Sequence, residues 1–279
     1  MIIAFVGSVF SPYYARALRL GPARAENHAA VNVALYGRSG HHWAMTERGQ
    51  GALARTADSY RLGPSSLAWD GEGLTIRIEE RTSPWGLPLR GTIRLEAGAL
   101  LAQRYPLDAA GRHHWQPLQP AARVSVAFEQ PGQDWQGHGY FDMNDGTRPL
   151  IADFQSWDWA RGLTPQGPVL LYDVTRLDGS SQHLALMMGP DGQLRDFEPP
   201  PLARLGTTPW RMPRQTRCDE DRRPRVLMTL EDTPFYARSV IASHLGGEGV
   251  TLMHESVSLA NLQKRWVETL MPFRMPRRA

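Results

Sequence analysis

The chain has 279 residues, and 42% of them are hydrophobic, which is the content of a globular protein with a buried core and excludes a disordered chain. The net charge of +3 comes from interspersed acids and bases without a recognisable nucleic-acid-binding module, so nucleic acid is not an expected partner. The single cysteine, Cys218, excludes an internal disulfide framework and indicates a reducing compartment, so we expect a cytoplasmic protein.

The apolar run at the N-terminus, IIAFVGSVF, is about half of the roughly 20 residues that a membrane-spanning helix needs. It lacks a basic segment before it, and Ser11-Pro12 follows it instead of a small-residue cleavage site. The run therefore predicts a buried strand, not a membrane span or a signal peptide.

Short runs of alternating apolar and polar residues, bounded by Gly, Pro and Asp, recur through the first half of the chain. In one of them Leu74, Ile76 and Ile78 share one face, and the charged residues lie on the other, which is typical of a half-buried antiparallel strand. The stretch Thr46-Glu47-Arg48-Gly49 is expected to be a hairpin turn. The predicted strands are residues 31–36, 66–69, 74–79, 92–96 and 124–128.

The second half repeats the pattern, with predicted strands at residues 169–176, 183–188, 225–230 and 250–254. Asp178-Gly179 and Asp191-Gly192 follow two of these runs, and Asp-Gly is among the strongest short hairpin signals. The sequence therefore predicts a mainly antiparallel β protein of two barrel-like or sandwich-like units in tandem, residues 1–149 and 150–279.

Only the end of the chain has a helical pattern. Ser258 is a candidate N-cap, and Pro272 is expected to end the helix. Leu259, Leu262, Trp266 and Leu270 would then lie on one face. A helix docked on a barrel is the simpler interpretation; the alternative is that Trp266, Phe273 and the arginines of the tail touch an anionic lipid surface.

The segment 137–161 concentrates a histidine, several acids and several aromatic residues. Tyr140 and Asp142 are two apart and would leave one face of a strand, as would His113 and Trp115. If both pairs line one interior, an acid, an imidazole, a phenol and an indole converge there. The alternative is that the aromatic residues belong to the core and that Asp142 opens a turn at 142–146.

The sequence gives little support for a metal site, a catalytic nucleophile or a nucleotide-binding site. The paired histidines His113 and His114, with His138 downstream, match no defined metal signature, so no metal is expected. There is no G-x-S-x-G turn for a nucleophile, and G-x-G-x-x-G and P-loop patterns are absent. No cofactor is therefore expected.

Long motifs in this chain resemble those of one family, the bacterial carotenoid 1,2-hydratases, also called hydroxyneurosporene synthases. They are FVGSVFSPYY, ENHAAVNVALYG, WAMTERG, HHW, GYFDMNDG, FQSWDWARG and ESVSL…RWVETLMPFRMPR. The Y-x-D-x-N and W-D-W elements are also similar to those of the wider lipocalin-like superfamily. Family members usually carry residues before IAFVGSVF, so a longer native N-terminus or a missing first strand is expected here.

This resemblance implies two tandem lipocalin-like β-barrel domains and the addition of water across the terminal 1,2 double bond of an acyclic carotenoid such as neurosporene or lycopene. The H-x-W and Y-x-D elements place the family's catalytic residues on His113, Trp115, Tyr140 and Asp142. Trp157, Trp159 and Asn144 are candidates for the substrate pocket, although tryptophans at such positions are more often core. An apolar substrate also implies peripheral association with the inner face of the membrane.

Protonating an alkene requires a strong acid in a dry site, and burial raises the pKa of a carboxyl group, so Asp142 is the candidate acid. Trp115 and Tyr140 are candidates for stabilising the carbocation, and His113 or Asp142 for accepting the proton of water. Two alternatives stay open. One is a lipocalin-type carrier of apolar isoprenoids, and the other is a superfamily relative that cyclises or dehydrates another metabolite.

Overall fold

The computed structural model describes residues 1–37 and 40–278, and most of them lie in antiparallel strands. In chain order the strands are β1 (Ile2–Val6), β2 (Ala29–Gly37), β3 (Gly40–Arg48), β4 (Leu53–Arg55), β5 (Ser59–Leu62), β6 (Ser65–Trp69), β7 (Gly73–Arg81), β8 (Pro88–Glu96), β9 (Tyr105–Pro106), β10 (His113–Gln130), β11 (Gln133–Gly146), β12 (Phe154–Thr164), β13 (Gly167–Arg176), β14 (Ser181–Met188), β15 (Leu194–Asp196), β16 (Leu202–Leu205), β17 (Arg214–Arg217), β18 (Arg225–Asp232), β19 (Tyr236–Leu245), β20 (Glu248–Ser258) and β21 (Arg277–Arg278). Each strand predicted from an alternating run lies within one of these, whereas only Ile2–Val6 of the N-terminal apolar run is a strand. The mainly antiparallel β class is confirmed.

The chain forms two compact units, and its segments interleave between them. The first unit consists of Met1–Leu100, Ala121–Phe141 and Arg265–Ala279, and the second of Leu101–Pro120 and Asp142–Lys264. The division falls inside β10 and β11, whereas the alternating pattern suggested a single cut between residues 149 and 150. The boundary between residues 149 and 150 was predicted for folding domains, and it stays a prediction. The compact units are defined differently, by contacts that join segments distant in the chain.

The first unit contains the sheet β1-β2-β3-β21, in which β21 is parallel to β3, and most of the sheet β11-β10-β8-β7-β6-β5-β4. Its core takes the inward positions that alternation predicted. Leu74, Ile76 and Ile78 on β7 are buried, and they pack with Ile93 and Leu95 on β8. The N-terminal run does form a strand, but β1 is half-buried and not fully buried as expected.

The second unit contains the seven-stranded sheet β15-β14-β13-β12-β20-β19-β18 and the hairpin β16-β17. Its hydrophobic core includes Ala160, Val169, Leu171, Ile241 and Leu252. The strand order of this sheet begins at β15 and ends at β18, and these two strands are not paired among the described residues. No closed barrel is formed by this pairing, so the two tandem barrels are not confirmed.

The stretch expected to be a hairpin turn at residues 46–49 is instead the buried end of β3. Glu47 is fully buried, where it accepts a hydrogen bond from Ser11 and pairs with His28 and Arg277. Arg48 forms a bidentate ion pair with Glu80, in which each of the two hydrogen bonds is 2.9 Å long. The turn prediction failed because the polar side chains that make the stretch look exposed find their partners far away in the chain.

Within residues 1–37 and 40–278, three α-helices accompany the strands: α1 (Pro12–Leu20), α2 (Leu259–Leu262) and α3 (Arg265–Arg274). Helix α1 was missed, although Ser11 as N-cap followed by Pro12 in the first turn is a helix-start signal. Among the residues that the structure describes, none of the helices combines the length and the apolar character that crossing a bilayer requires.

The predicted face of the C-terminal helix is correct in its first half, where Leu259 and Leu262 are buried, and wrong in its second half. Ser258 does cap α2, but the helix breaks at residues 263–264 and α3 begins at Arg265. The break shifts the helical phase, so Val267 and Met271 are buried in place of the predicted pair Trp266 and Leu270. Pro272 does not end the helix; it lies inside α3.

Candidate active site

An indole and a carboxyl group meet in the second unit, at the N-terminal end of β10. Trp115 is fully buried, and its Nε1–H donates a hydrogen bond to Oδ2 of Asp142 on β11 at 2.8 Å. Asp142 therefore lies in a strand, not in the turn that was the alternative interpretation of residues 142–146. The two candidates that the sequence placed on separate strands are brought into direct contact.

Aromatic rings surround this pair. Tyr172 on β13 meets the Trp115 ring edge-to-face, with the ring centroids 5.2 Å apart, and Tyr105 on β9 lies 5.9 Å away at a tilt. Burial raises the pKa of the Tyr172 hydroxyl well above its usual value, and the nearby charges of Asp142 and Glu255 add to the effect. Burial also raises the pKa of Tyr105. The Asp142 carboxyl group thus lies beside a poorly hydrated, aromatic region.

His113 lies two residues before Trp115 and is also buried, but its partner is a different acid. Its Nε2 is 2.7 Å from Oδ2 of Asp153, and its ring meets Phe154 edge-to-face at 4.9 Å. A Cβ atom on Gly146 would come within 2.5 Å of the His113 Nδ1. The imidazole is therefore held closely by the chain around it.

The Asp153 carboxylate is in turn bracketed by two guanidinium groups. Arg112 donates to Oδ1 of Asp153 at 2.8 Å, and Nε of Arg148 lies 3.2 Å from Oδ2. The backbone N–H of His113 donates to Asp108 at 2.9 Å. These contacts fix both the backbone and the ring of His113, and an ionised Asp153 would hold the His113 Nε2 proton.

The remaining predicted residues are placed as follows. Tyr140 is half-buried on β11, in the stretch of that strand that belongs to the first unit. Asn144 is exposed on the same strand. Trp157 and Trp159 are half-buried on β12, and Trp159 lies opposite Tyr172 in the β12-β13 register and opposite Glu255 in the β12-β20 register.

Asp158, between the two tryptophans, is another carboxyl group of this unit, and its side chain is 13% exposed. Burial raises its pKa to about 7, although Ser256 and Gln215 donate hydrogen bonds to it. His254 lies beside it, with Nε2 3.8 Å from Oδ1 of Asp158, and donates that Nε2 proton to the Gln215 carbonyl at 2.7 Å. Burial lowers the pKa of His254 to about 4.

Sequence reasoning missed two neighbours of the site. Tyr172 lies within a strand that was predicted, but no local signal marks one aromatic residue of a strand as belonging to the site. Asp153 lies in the acid-rich segment 137–161, and only its long-range contact with His113 gives it a role. Among residues 1–37 and 40–278, no group of three or more His, Cys, Asp or Glu side chains is arranged to hold a metal ion.

The fold and the site together define a class: a mainly antiparallel β protein that holds a carboxyl group against buried aromatic rings. A family model described as Carotenoid hydratase CrtC matches residues 2–279. The acyclic carotenoid 1,2-hydratase of Thiocapsa roseopersicina is 49% identical over 99% of this chain and 68% of its own length. That of Rhodobacter capsulatus is 39% identical over 100% of this chain and 98% of its own.

The chain belongs to the carotenoid hydratase family, and it is an enzyme of the hydro-lyase class. The family implies a carotenoid and water as reactants. A crystal structure from Nitrosomonas europaea, proposed to be an AttH protein, aligns with a TM-score of 0.58 at 13% identity, covering 82% of this chain and 81% of that one. At that identity the likeness concerns the fold alone.

Proposed function

We propose that this protein hydrates the terminal 1,2 double bond of acyclic carotenoids such as neurosporene and lycopene, with Asp142 as the acid. The contact between the Trp115 Nε1–H and Oδ2 of Asp142, at 2.8 Å within buried aromatic rings, is the observation that carries the proposal. One carboxyl oxygen is held by the indole. The transferable proton is proposed to be on the other oxygen.

Protonation comes first in this mechanism. The Asp142 proton is transferred to C2, the less substituted carbon of the double bond, and the π electrons form the new C–H bond. The positive charge is left on C1, which becomes a tertiary carbocation. Asp142 becomes a carboxylate that accepts the Trp115 N–H, and such a charge-assisted hydrogen bond is stronger than the neutral one. Trp115 therefore stabilises the state that follows proton transfer.

Capture of water completes the reaction. The oxygen of water bonds to C1, and one of its protons returns to the Asp142 carboxylate or passes to His113, so the net change is the addition of one water molecule. An aromatic face attracts a desolvated cation by about 2 kcal/mol. Tyr140 is the proposed source of that stabilisation, and Trp115 contributes through its ring as well as its N–H group. Trp157, Trp159 and Asn144 are proposed to line the polyene site.

The role of His113 in this scheme is constrained by its contacts. Because Nε2 faces Asp153, Nδ1 is the ring nitrogen that this contact leaves for proton transfer, and it lies close to Gly146. We therefore propose that the imidazole, with its Nε2 proton held by Asp153, uses Nδ1 as the base.

We also propose that the two compact units correspond to the two lipocalin-like domains that the family resemblance implies. Each unit has its own antiparallel sheet and its own hydrophobic core, which supports this assignment.

The experiment is incubation of purified protein with neurosporene or lycopene, anaerobically, without added cofactor, in water labelled with heavy oxygen. We expect a product with one labelled hydroxyl group, measured by mass spectrometry. Asp142→Asn should abolish turnover while the protein stays folded and still binds carotenoid. Asp134→Asn, at an exposed position of the same strand, is the matched control and should keep full activity.

Unchanged carotene that co-purifies with the wild-type protein would favour the carrier interpretation instead. Wild-type rates in Asp142→Asn would remove this residue from the mechanism and leave the family assignment intact.

A further inference from the structure

Helix α3 carries two apolar faces, and only one of them is covered. Val267 and Met271 are buried. Leu270 and Phe273 point elsewhere on the helix and are 50% and 73% exposed. Trp266, one turn earlier on the same side, is half-exposed. Exposing large apolar side chains in a stripe is costly in water, and such a stripe marks an interaction site.

A second exposed apolar group lies beside the end of α3. In the loop between β7 and β8, Trp85 is 81% and Leu87 53% exposed. The loop is joined to the helix because the Ser83 hydroxyl donates to the Phe273 carbonyl at 2.8 Å. We call Trp85, Leu87, Leu270 and Phe273 the docking surface.

The segments that carry or adjoin the docking surface are strongly basic. Helix α1 contacts α3 through an ion pair of Arg19 with Glu268, at 2.6 Å. Residues 12–20, 81–87 and 265–278 together contain seven arginines and one acid, Glu268. Two of these arginines are in ion pairs, Arg19 with Glu268 and Arg277 with the buried Glu47. The Arg274 guanidinium stacks over the Trp43 ring at 4.4 Å, and the Arg81 side chain donates to the Gly86 carbonyl at 2.9 Å.

We propose that the docking surface binds the anionic face of a lipid bilayer. The apolar side chains would enter the boundary between headgroups and acyl chains, while the arginines outside these two ion pairs contact lipid phosphates. Excess positive charge around exposed aromatic rings matches this partner, because aromatic side chains favour the interfacial layer and basic side chains favour anionic headgroups. The site goes beyond the proposed reaction, since it concerns where the protein meets the phase that dissolves an apolar substrate.

The test is flotation of the full-length protein with vesicles that contain no carotenoid. We expect binding to vesicles of phosphatidylglycerol and phosphatidylcholine in equal parts, and weaker binding to phosphatidylcholine alone or at high salt. The double variant Trp85→Ser with Phe273→Ser should partition at least about tenfold more weakly, because it loses two exposed aromatic side chains.

The matched control is Trp210→Ser with Leu227→Ser, which removes exposed apolar residues of the second unit and should bind as the wild type does. Hydration of carotene in detergent micelles should be unchanged in both double variants. Vesicle binding and turnover are measured separately, so a failed reaction and a failed docking surface are distinguishable.

Three results would overturn the proposal. The first is equal flotation of the Trp85→Ser and Phe273→Ser variant and its control. The second is wild-type protein that binds no vesicle, or binds both kinds equally at every salt concentration. The third is a dimer, seen by sedimentation without lipid, that the double variant loses and the control keeps. In that case the surface binds a second copy of the chain.

Discussion

Asp142 and Asp158 are two half-buried acidic residues of the second unit with different surroundings. Asp142 accepts a hydrogen bond from the indole of Trp115 and lies near the Tyr172 ring. Asp158 accepts hydrogen bonds from Ser256 and Gln215 and lies beside His254. Both residues are only partly exposed, so shielding from solvent alone does not make a catalytic acid. The aromatic surroundings of Asp142 suit an apolar substrate, whereas the partners of Asp158 are polar groups of the sheet itself.

The largest expected effect is a difference in hydration rate between variants of the two acidic residues. Asp142→Asn should lower the hydration rate by a factor of about 10³ or more, because the proton donor is lost. Asp158→Asn should stay within about tenfold of the wild type, since an amide keeps the size and much of the hydrogen bonding. Rates on solubilised carotene check this, and a greater loss in Asp158→Asn would exchange the roles of the two carboxyl groups.

The next effect concerns stability against pH. Folded Asp158 keeps its proton up to about pH 7, whereas the unfolded residue loses it near pH 3.8, so its contribution to stability falls as pH rises between these values. Relative to wild type, Asp158→Asn should therefore gain about 4 kcal/mol in unfolding free energy between pH 4 and pH 7. Urea unfolding at several pH values measures this.

The contribution of His254 to stability changes with pH in the opposite direction. Its folded pKa of about 4 lies below the usual 6.5, so its contribution to stability is lost as pH falls from 6.5 to 4. Relative to wild type, His254→Gln should gain about 3 kcal/mol over that fall in pH. In the wild type the two slopes largely cancel between pH 4 and 6.5. Variants with slopes parallel to the wild type would show that neither group is titrating as its burial implies.

A somewhat smaller effect is expected at Asp153. Asp153→Asn leaves the guanidinium group of Arg148 without a carboxylate, leaves Arg112 with Asp108, and releases the His113 ring, so we expect about 3 kcal/mol of lost stability and a lower turnover rate. Asp145→Asn is the control, because Asp145 pairs with Arg104 at the surface and its loss should cost less than about 1 kcal/mol. Similar losses of stability in the two variants would mean that Asp153 stabilises the fold no more than an exposed acidic residue does.

The smallest effect distinguishes the ring of Trp115 from its N–H group. Trp115→Phe keeps an aromatic ring and loses the hydrogen bond to Asp142, so the rate should fall by about tenfold, equivalent to about 1.4 kcal/mol. Trp115→Ala should be slower still, because the ring and its packing on Tyr172 are removed. Rates are compared on folded protein, and equal rates for both variants would argue against a role for the ring.

The sequence by itself determined where the strands lie, and the inward faces of β7 and β8 alternate as predicted because alternation is a local pattern. In β13, by contrast, successive residues are buried and no alternation is seen. The sequence also placed His113 with Trp115 on one strand and Tyr140 with Asp142 on another. Helix α1 could have been found from its Ser11-Pro12 start. The phase of α3 could not, because a break of two residues reverses which side chains are buried.

Tertiary structure decided which groups meet. Trp115 reaches Asp142 over 27 residues and Tyr172 over 57, and His113 is paired with Asp153, 40 residues away. It also turned Glu47 and Arg48 from expected turn residues into buried partners of distant charges. A charge can be buried only where an opposite charge or a donor is supplied. In this chain those partners come from other strands, so no local pattern could reveal them.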